Sequence, residues 1–438
     1  MKKTAILIFL VLFSCTKKEI ELSIPQEFSN KTPTFIVEKT QDNLLQLFNG
    51  LSTVYSTAYA NQLSCVDRST FSDCLDPKSN HFEGIFSNII NAIKQIRYAK
   101  ELATNEEDKN LEGVCQIIEG LIFSEFALFF GDVPFSDIKF GNSKYNYSSQ
   151  IDVLNQAQSL FDLGIQNVGD LDIEKDLSKF SSSANWKELA YSFKARYYLL
   201  TKNYSKALEN VKKGINNPSS SLKTSSTFVE DHFFKEYFTE TRLGDFFPKG
   251  TYLEKLVDIN NTTVTRILPT PGEEKRYNHY YSQYDRHSPT EIFFNVTNEG
   301  IYGKGSNIEI ISYEEVLLIE AECLNRLNMS GDIEVFNTFR GLLSTKYQGN
   351  FTNTTSTGSN LLKEILEERY ITFFSQNIVF HDIRRTNNKL NIPYPQTQSG
   401  QSVYREIFQR FLYPDTEIAN GNLSLPIPSL TTKTAVNQ

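Results

Sequence analysis

The chain of 438 residues carries 44 Lys and Arg against 52 Asp and Glu, a formal charge of -8, with 39% hydrophobic and 22% charged residues. That balance suits a soluble globular protein with a substantial core and argues against nucleic acid as a partner, since no run of Lys or Arg exceeds a pair. The 33 Phe and 22 Tyr are in excess and need either a binding role or a place to be buried.

The N-terminus, "MKKTAILIFLVLFSC", places Lys2 and Lys3 before an apolar run from Ala5 to Phe13 that is too short to span a bilayer. Residues 1–14 therefore read as an export signal. Leu12, Phe13 and Ser14 before Cys15 resemble the lipobox of bacterial lipoproteins, so Cys15 is expected to be acylated and the lipid to supply the membrane attachment. Residues 15–40 are polar, with Pro25 and Pro33, and read as a tether. Export permits disulfides. Cys65 and Cys74 flank the polar stretch "VDRSTFSD" and are read as bonded to each other in preference to a zinc pair, which wants Cys-x-x-Cys spacing. Cys115 and Cys323 sit in apolar helical patterns and are expected to be inert buried thiols.

Residues 41–220 show apolar positions at helical spacing over 41–60, 82–103, 109–130, 148–168, 183–202 and 203–216. The fold class is mainly α, with helical hairpins of tetratricopeptide texture but no clean repeat period. Residues 221–438 are expected to be loop-rich and irregular. Gly, Pro, Asn and aromatic clusters break the texture up to residue 310, helices return at 312–328, 332–346 and 360–375, and a Pro-rich arm is laid over the body.

The densest chemistry lies at 364–389, "EILEERYITFFSQNIVFHDIRRTNNK". Glu367, Glu368, Arg369, His381, Asp382, Arg384 and Arg385 crowd together there, but Leu362, Leu366, Tyr370 and Phe373 form an apolar stripe beside them. The charges thus flank a core-facing helix and predict ion pairs that fix helix packing, not an acid and base. With no His-Glu-x-x-His, nucleophile elbow or phosphate loop in the chain, an enzyme is not expected, and no motif requires a cofactor or metal.

Four segments together resemble one family, the SusD/RagB outer-membrane nutrient-binding lipoproteins of Bacteroidetes. They are "EFALFFGDVPF" (125–135), "WKELAYSFKARYYLLTKNYSKALENV" (186–211), "SYEEVLLIEAECLNRLN" (312–328) with the 364–387 signature, and "QRFLYPDTEIANGNL" (409–423). The resemblance implies a SusD-like helical region over 41–220, and a ligand region with the RagB/SusD C-terminal part over 221–438. It also implies a lipid-anchored place at the cell surface on the outer membrane, and a SusC-like TonB-dependent transporter as partner. The implied ligand is an oligosaccharide. A peptide, as in the RagB branch, or a transporter lid without ligand preference of its own are the alternatives.

Sugars are held by aromatic faces and by amide, carboxylate and Arg groups, usually on loops. Two stretches have that composition. One is the cysteine-flanked loop with Asp67, Arg68 and Phe71; the other is "YNHYYSQYDRH" (277–287) with Tyr280, Tyr281 and Tyr284. For any single tyrosine, packing onto the protein body is an equally good reading. Trp186 is expected in the core.

Overall fold

The computed structural model describes residues 24–65, 75, 77–169, 177–225, 246–282, 292–303, 306–394, 406–423 and 426–438. Cys15 and Cys74 lie outside this set, and of Cys65 only the backbone is described, so the expected acylation and disulfide fall beyond it.

The fold starts earlier than expected. Helix α1 runs Pro33–Asn49, inside the stretch read as tether, and buries Ile36 and Val37 completely. Pro33 instead opens the helix, where the lost N–H is not needed, and Thr32 caps it by accepting from Phe35 N. Gly50 then divides the expected 41–60 helix, and α2 is Leu51–Tyr59.

The helices that follow agree with the periodicity: α3 (Glu83–Asn105), α4 (Lys109–Phe130), α5 (Gln150–Asn167), α6 (Trp186–Leu200) and α7 (Tyr204–Val211). Each packs on its neighbour, α1 on α3, α3 on α4, α4 on α5, α5 on α6 and α6 on α7, and α10 (Tyr313–Arg326) continues the stack beyond α7. Polar residues mark the starts. Asp108 accepts from Leu111 N, Ser149 from Asp152 N, and Asn185 forms a reciprocal box with Glu188. Helix α4 is apolar enough to cross a membrane by length and composition, yet its whole apolar window is buried within this fold. A helix that is hydrophobic all round belongs at the centre of a core.

Helices α4 and α5 approach closely because glycines face the contact. A Cβ on Gly113 would lie 2.7 Å from Val168 N, and one on Gly164 would lie 2.5 Å from Ile117 Cγ1. Gly113→Ala should therefore destabilise the protein by about 1–3 kcal/mol. Alanine's better helix propensity would by itself give the opposite sign by about 1 kcal/mol. A raised urea midpoint in Gly113→Ala would show that the backbone at Val168 yields.

The second half is less regular. Helices α8 (Tyr252–Val257) and α9 (Glu273–Tyr280) interrupt the loops, followed by α10, α11 (Asp332–Tyr347), α12 (Gly358–Thr372) and α13 (Ile378–Arg385). Strands are two or three residues long. β4 (Phe180–Ser181), β5 (Leu222–Thr224) and β9 (Glu309–Ile311) form one antiparallel sheet, and β2 (Val133–Pro134) pairs with β3 (Tyr147–Ser148).

Much of the aromatic excess is spent inside. Phe411 of the C-terminal arm stacks on Phe129 at 4.4 Å between ring centroids, touches Phe82, Phe380 and Tyr59, and donates its backbone N–H to Phe129 O. The arm thus closes over the body, as its composition predicts. Trp186 is buried, as are the thiols Cys115 and Cys323.

Candidate functional site

The carboxylates and guanidiniums of the signature are buried and pair with one another and with neighbouring helices. Glu368 on α12 accepts from Arg266 (2.8 Å) and Arg276 (2.9 Å) and is ion-paired with Arg340, whose Nη1 lies 2.9 Å away without hydrogen-bond alignment, and Glu273 is bound by Arg276 and Arg266 in the same cluster. Burial raises the Glu368 carboxyl, but the three guanidiniums outweigh it and hold it far below the usual range. Glu367 accepts from Ile267 N and is ion-paired with Arg266, yet burial dominates there and pushes it up to about 6.

His381 and Asp382, adjacent in sequence, do not work as a pair. On a helix, neighbours point about 100° apart. Asp382 receives Arg369 Nε at 2.8 Å and Arg385 Nε at 2.6 Å, and Arg385 also forks onto Glu322 of α10 at 2.6 and 2.7 Å. His381 meets Glu125 of α4: the imidazole Nε2 lies 3.1 Å from Glu125 Oε2, while Arg384 donates to Nδ1. With Nδ1 accepting, Nε2 carries the proton and donates it to Glu125. Burial keeps this histidine below its ordinary pKa, against the pull of Glu125. The cavities that touch this group, one lined by Glu125 and one by Asp382, hold about 10 Å³ each, too little for a substrate, and the cluster acts as a clamp between α4, α10, α12 and α13. Sequence reading missed Glu125. Its signal was an acid within an otherwise apolar helix, which must find a buried partner.

The two stretches proposed for ligand fare differently. Asp67, Arg68, Phe71 and Tyr284 lie outside the described residues, but the strands that carry their loops are placed side by side. β1 (Ser64–Cys65) pairs with β6 (Phe246–Phe247), and β7 (Tyr281–Ser282) pairs with β8 (Phe293–Phe294). The two ladders meet where the Phe247 and Phe293 rings come to 6.3 Å. Asn61, in the left-handed conformation, binds the same rim together: its Nδ2 donates to Pro393 O at 3.0 Å, and its backbone O accepts from Tyr252 N at 3.1 Å.

Tyr280 and Tyr281 correct the expectation. They end α9 and begin β7 instead of lying in a loop, and are 1% and 2% exposed. Tyr280 donates its hydroxyl to Ile371 O at 3.0 Å and packs on Phe374; Tyr281 packs on Tyr277 and Phe294. Neither offers a ring face to a ligand. Rings at or near this rim that keep some exposure are half-buried Tyr252 and Tyr277, and Tyr394, which is 39% exposed. Tyr394 escaped sequence reading, although an aromatic between two prolines in "NIPYP" cannot pack inside a helix.

A family profile described as "Starch-binding associating with outer membrane", SusD-like, matches residues 25–414. The chain belongs to the SusD-like family. Solved structures agree in fold. A SusD homolog from Bacteroides uniformis ATCC 8492 aligns at TM-score 0.71 and 14% identity over 92% of this chain and 99% of that one. A chitin-binding SusD homolog from Flavobacterium johnsoniae aligns at TM-score 0.65 and 14% identity over 93% and 97%. A SusD/RagB family protein from Bacteroides thetaiotaomicron VPI-5482 aligns at TM-score 0.62 and 17% identity over 89% and 94%. Among curated proteins no match is found. For this SusD-like protein the family is one of outer-membrane-associated glycan binders, generally without catalysis, in keeping with a signature whose carboxylates and guanidiniums are buried.

Proposed function

We propose that this SusD-like protein is a cell-surface lipoprotein, anchored through Cys15, that captures an oligosaccharide and delivers it to a SusC-like TonB-dependent outer-membrane transporter. The observation that carries the reading is the meeting of the β1–β6 and β7–β8 ladders at Phe247 and Phe293. It brings to one rim the stems of two loops whose residues, Asp67, Arg68, Phe71 and Tyr284, have the chemistry that grips sugar hydroxyls and ring faces. The buried Tyr280 and Tyr281 serve as the footing of the second loop. The chitin-binding neighbour supports including chitin oligosaccharides beside starch fragments among the first ligands to try.

Calorimetry of the mature chain with maltoheptaose, chitohexaose and a mixed peptide pool tests this. Arg68→Ala with Phe71→Ala is expected to weaken glycan binding at least tenfold, about 1.4 kcal/mol. Binding of peptides alone would replace the oligosaccharide with a RagB-like ligand, and silence across the panel would leave a transporter lid. Acyl labelling in the producing cell should vanish in Cys15→Ala; label that persists would remove the anchor from the proposal.

A further inference from the structure

Beyond the rim loops, the geometry points to a second binding site, for a neutral saccharide of one or two rings. It occupies a cleft between the turn after α13 and the C-terminal arm. The cleft encloses about 340 Å³, at the lower end of the range for small-molecule pockets, and its lining includes Asn387, Asn391, Tyr394, Glu406, Gln409 and Lys433. The chain folds this way because Asn387, Asn388 and Asn391 all take the left-handed conformation that asparagine tolerates best after glycine, and Asn388 closes the turn by exchanging hydrogen bonds with Ile392.

The walls are pinned before any ligand arrives. Arg384, from the buried clamp, donates to Gln409 O at 2.8 Å, Gln409 N donates to Leu430 O at 2.6 Å, and Lys433 Nζ reaches Asn387 Oδ1 across the cleft at 3.3 Å. Such preorganisation lowers the entropy lost on binding. The chemistry selects the ligand. Side-chain amides both donate and accept, as sugar hydroxyls do, and Asn387, Asn391 and Gln409 bring such groups to the lining. Glu406 and Lys433 cancel in charge, which disfavours anions and cations alike, and the exposed ring of Tyr394 offers a flat face to the C–H side of a sugar. Tyr394 also borders the rim, where Asn61 holds its backbone, so a chain bound in the cleft would extend toward the loops.

The test uses saturation-transfer NMR of maltose, cellobiose and diacetylchitobiose against the mature chain, in a background of Arg68→Ala, Phe71→Ala and Tyr284→Ala. At least one disaccharide should still receive saturation there. Adding Tyr394→Ala or Gln409→Ala should cut the signal severalfold, while Tyr394→Phe preserves it. Tyr394 is exposed, so its replacement leaves folding intact. No transfer in the loop-variant background, or transfer unaffected by both Tyr394→Ala and Gln409→Ala, overturns the cleft. The rim reading fails separately, if the loop substitutions leave the calorimetric affinity of the long oligosaccharides unchanged.

Discussion

Glu368→Ala should lower folding stability by about 3–5 kcal/mol, read as a shift of the urea midpoint at neutral pH. The reason is arithmetic of charge in a place without water. Glu368 faces Arg266, Arg276 and Arg340, and among the described residues the three guanidiniums share Glu273 and Glu367 as the other carboxylates in the cluster. Nε and Nη1 of Arg266 and of Arg340 already lack well-aligned acceptors, so no spare oxygen takes over when Glu368 goes. The loss is that of an orphaned buried cation, which is larger than the net worth of the intact cluster against an apolar core of the same shape. Glu209→Ala is the control. Its pair with Lys213 spans one helical turn in full solvent, and the midpoint should stay where it is. A Glu368→Ala shift below about 1 kcal/mol would mean that water enters the cluster freely.

How far the sequence carried depends on where each signal is local. Apolar spacing located α3 to α7 and α10 to α12 because the buried face repeats within each helix. Pro33 misled because the same residue ends a helix in its interior and begins one in its first turn. The stretch "YNHYY" misled for a tertiary reason. Tyr280 and Tyr281 look like a sugar platform until Ile371 and Phe374, some ninety residues away, are seen to enclose Tyr280. His381 and Asp382 are packing residues, as their helix stripe predicts, but which groups they pair with, Glu125 on α4 and Arg369 on α12, is set between helices and cannot be read from spacing within one. The rim was legible only in composition. Its assembly rests on Phe247 meeting Phe293 and on Asn61 reaching Pro393, contacts across tens to hundreds of residues.

Glu322 sets the second large effect, in the acid limb of stability. Burial by itself would raise its carboxyl, but the bidentate Arg385, with Arg326 and Arg369 behind it, brings it down to about 2 from an ordinary 4.5. A carboxylate with a lower pKa in the folded state gives stability that is complete above about pH 4.5 and is lost as pH falls toward 2. For this group the contribution is on the order of 3 kcal/mol. The wild-type curve alone does not isolate it, because other buried groups titrate with their own signs. Glu367, pushed up to about 6, contributes stability below about pH 4.5 that fades as pH rises through 6, and His381, kept neutral by burial, adds acid-side loss that begins near its ordinary value of 6.5. The difference between wild type and Glu322→Gln cancels those shared terms. Glu322→Gln should be several kcal/mol less stable at pH 7 and should converge on wild type near pH 2, because protonated Glu322 presents Arg385 with little more than the amide does. Denaturation curves that remain parallel from pH 7 to 2.5 would show that Arg385 does not hold Glu322 ionised, and that the clamp between α10 and α13 is neutral.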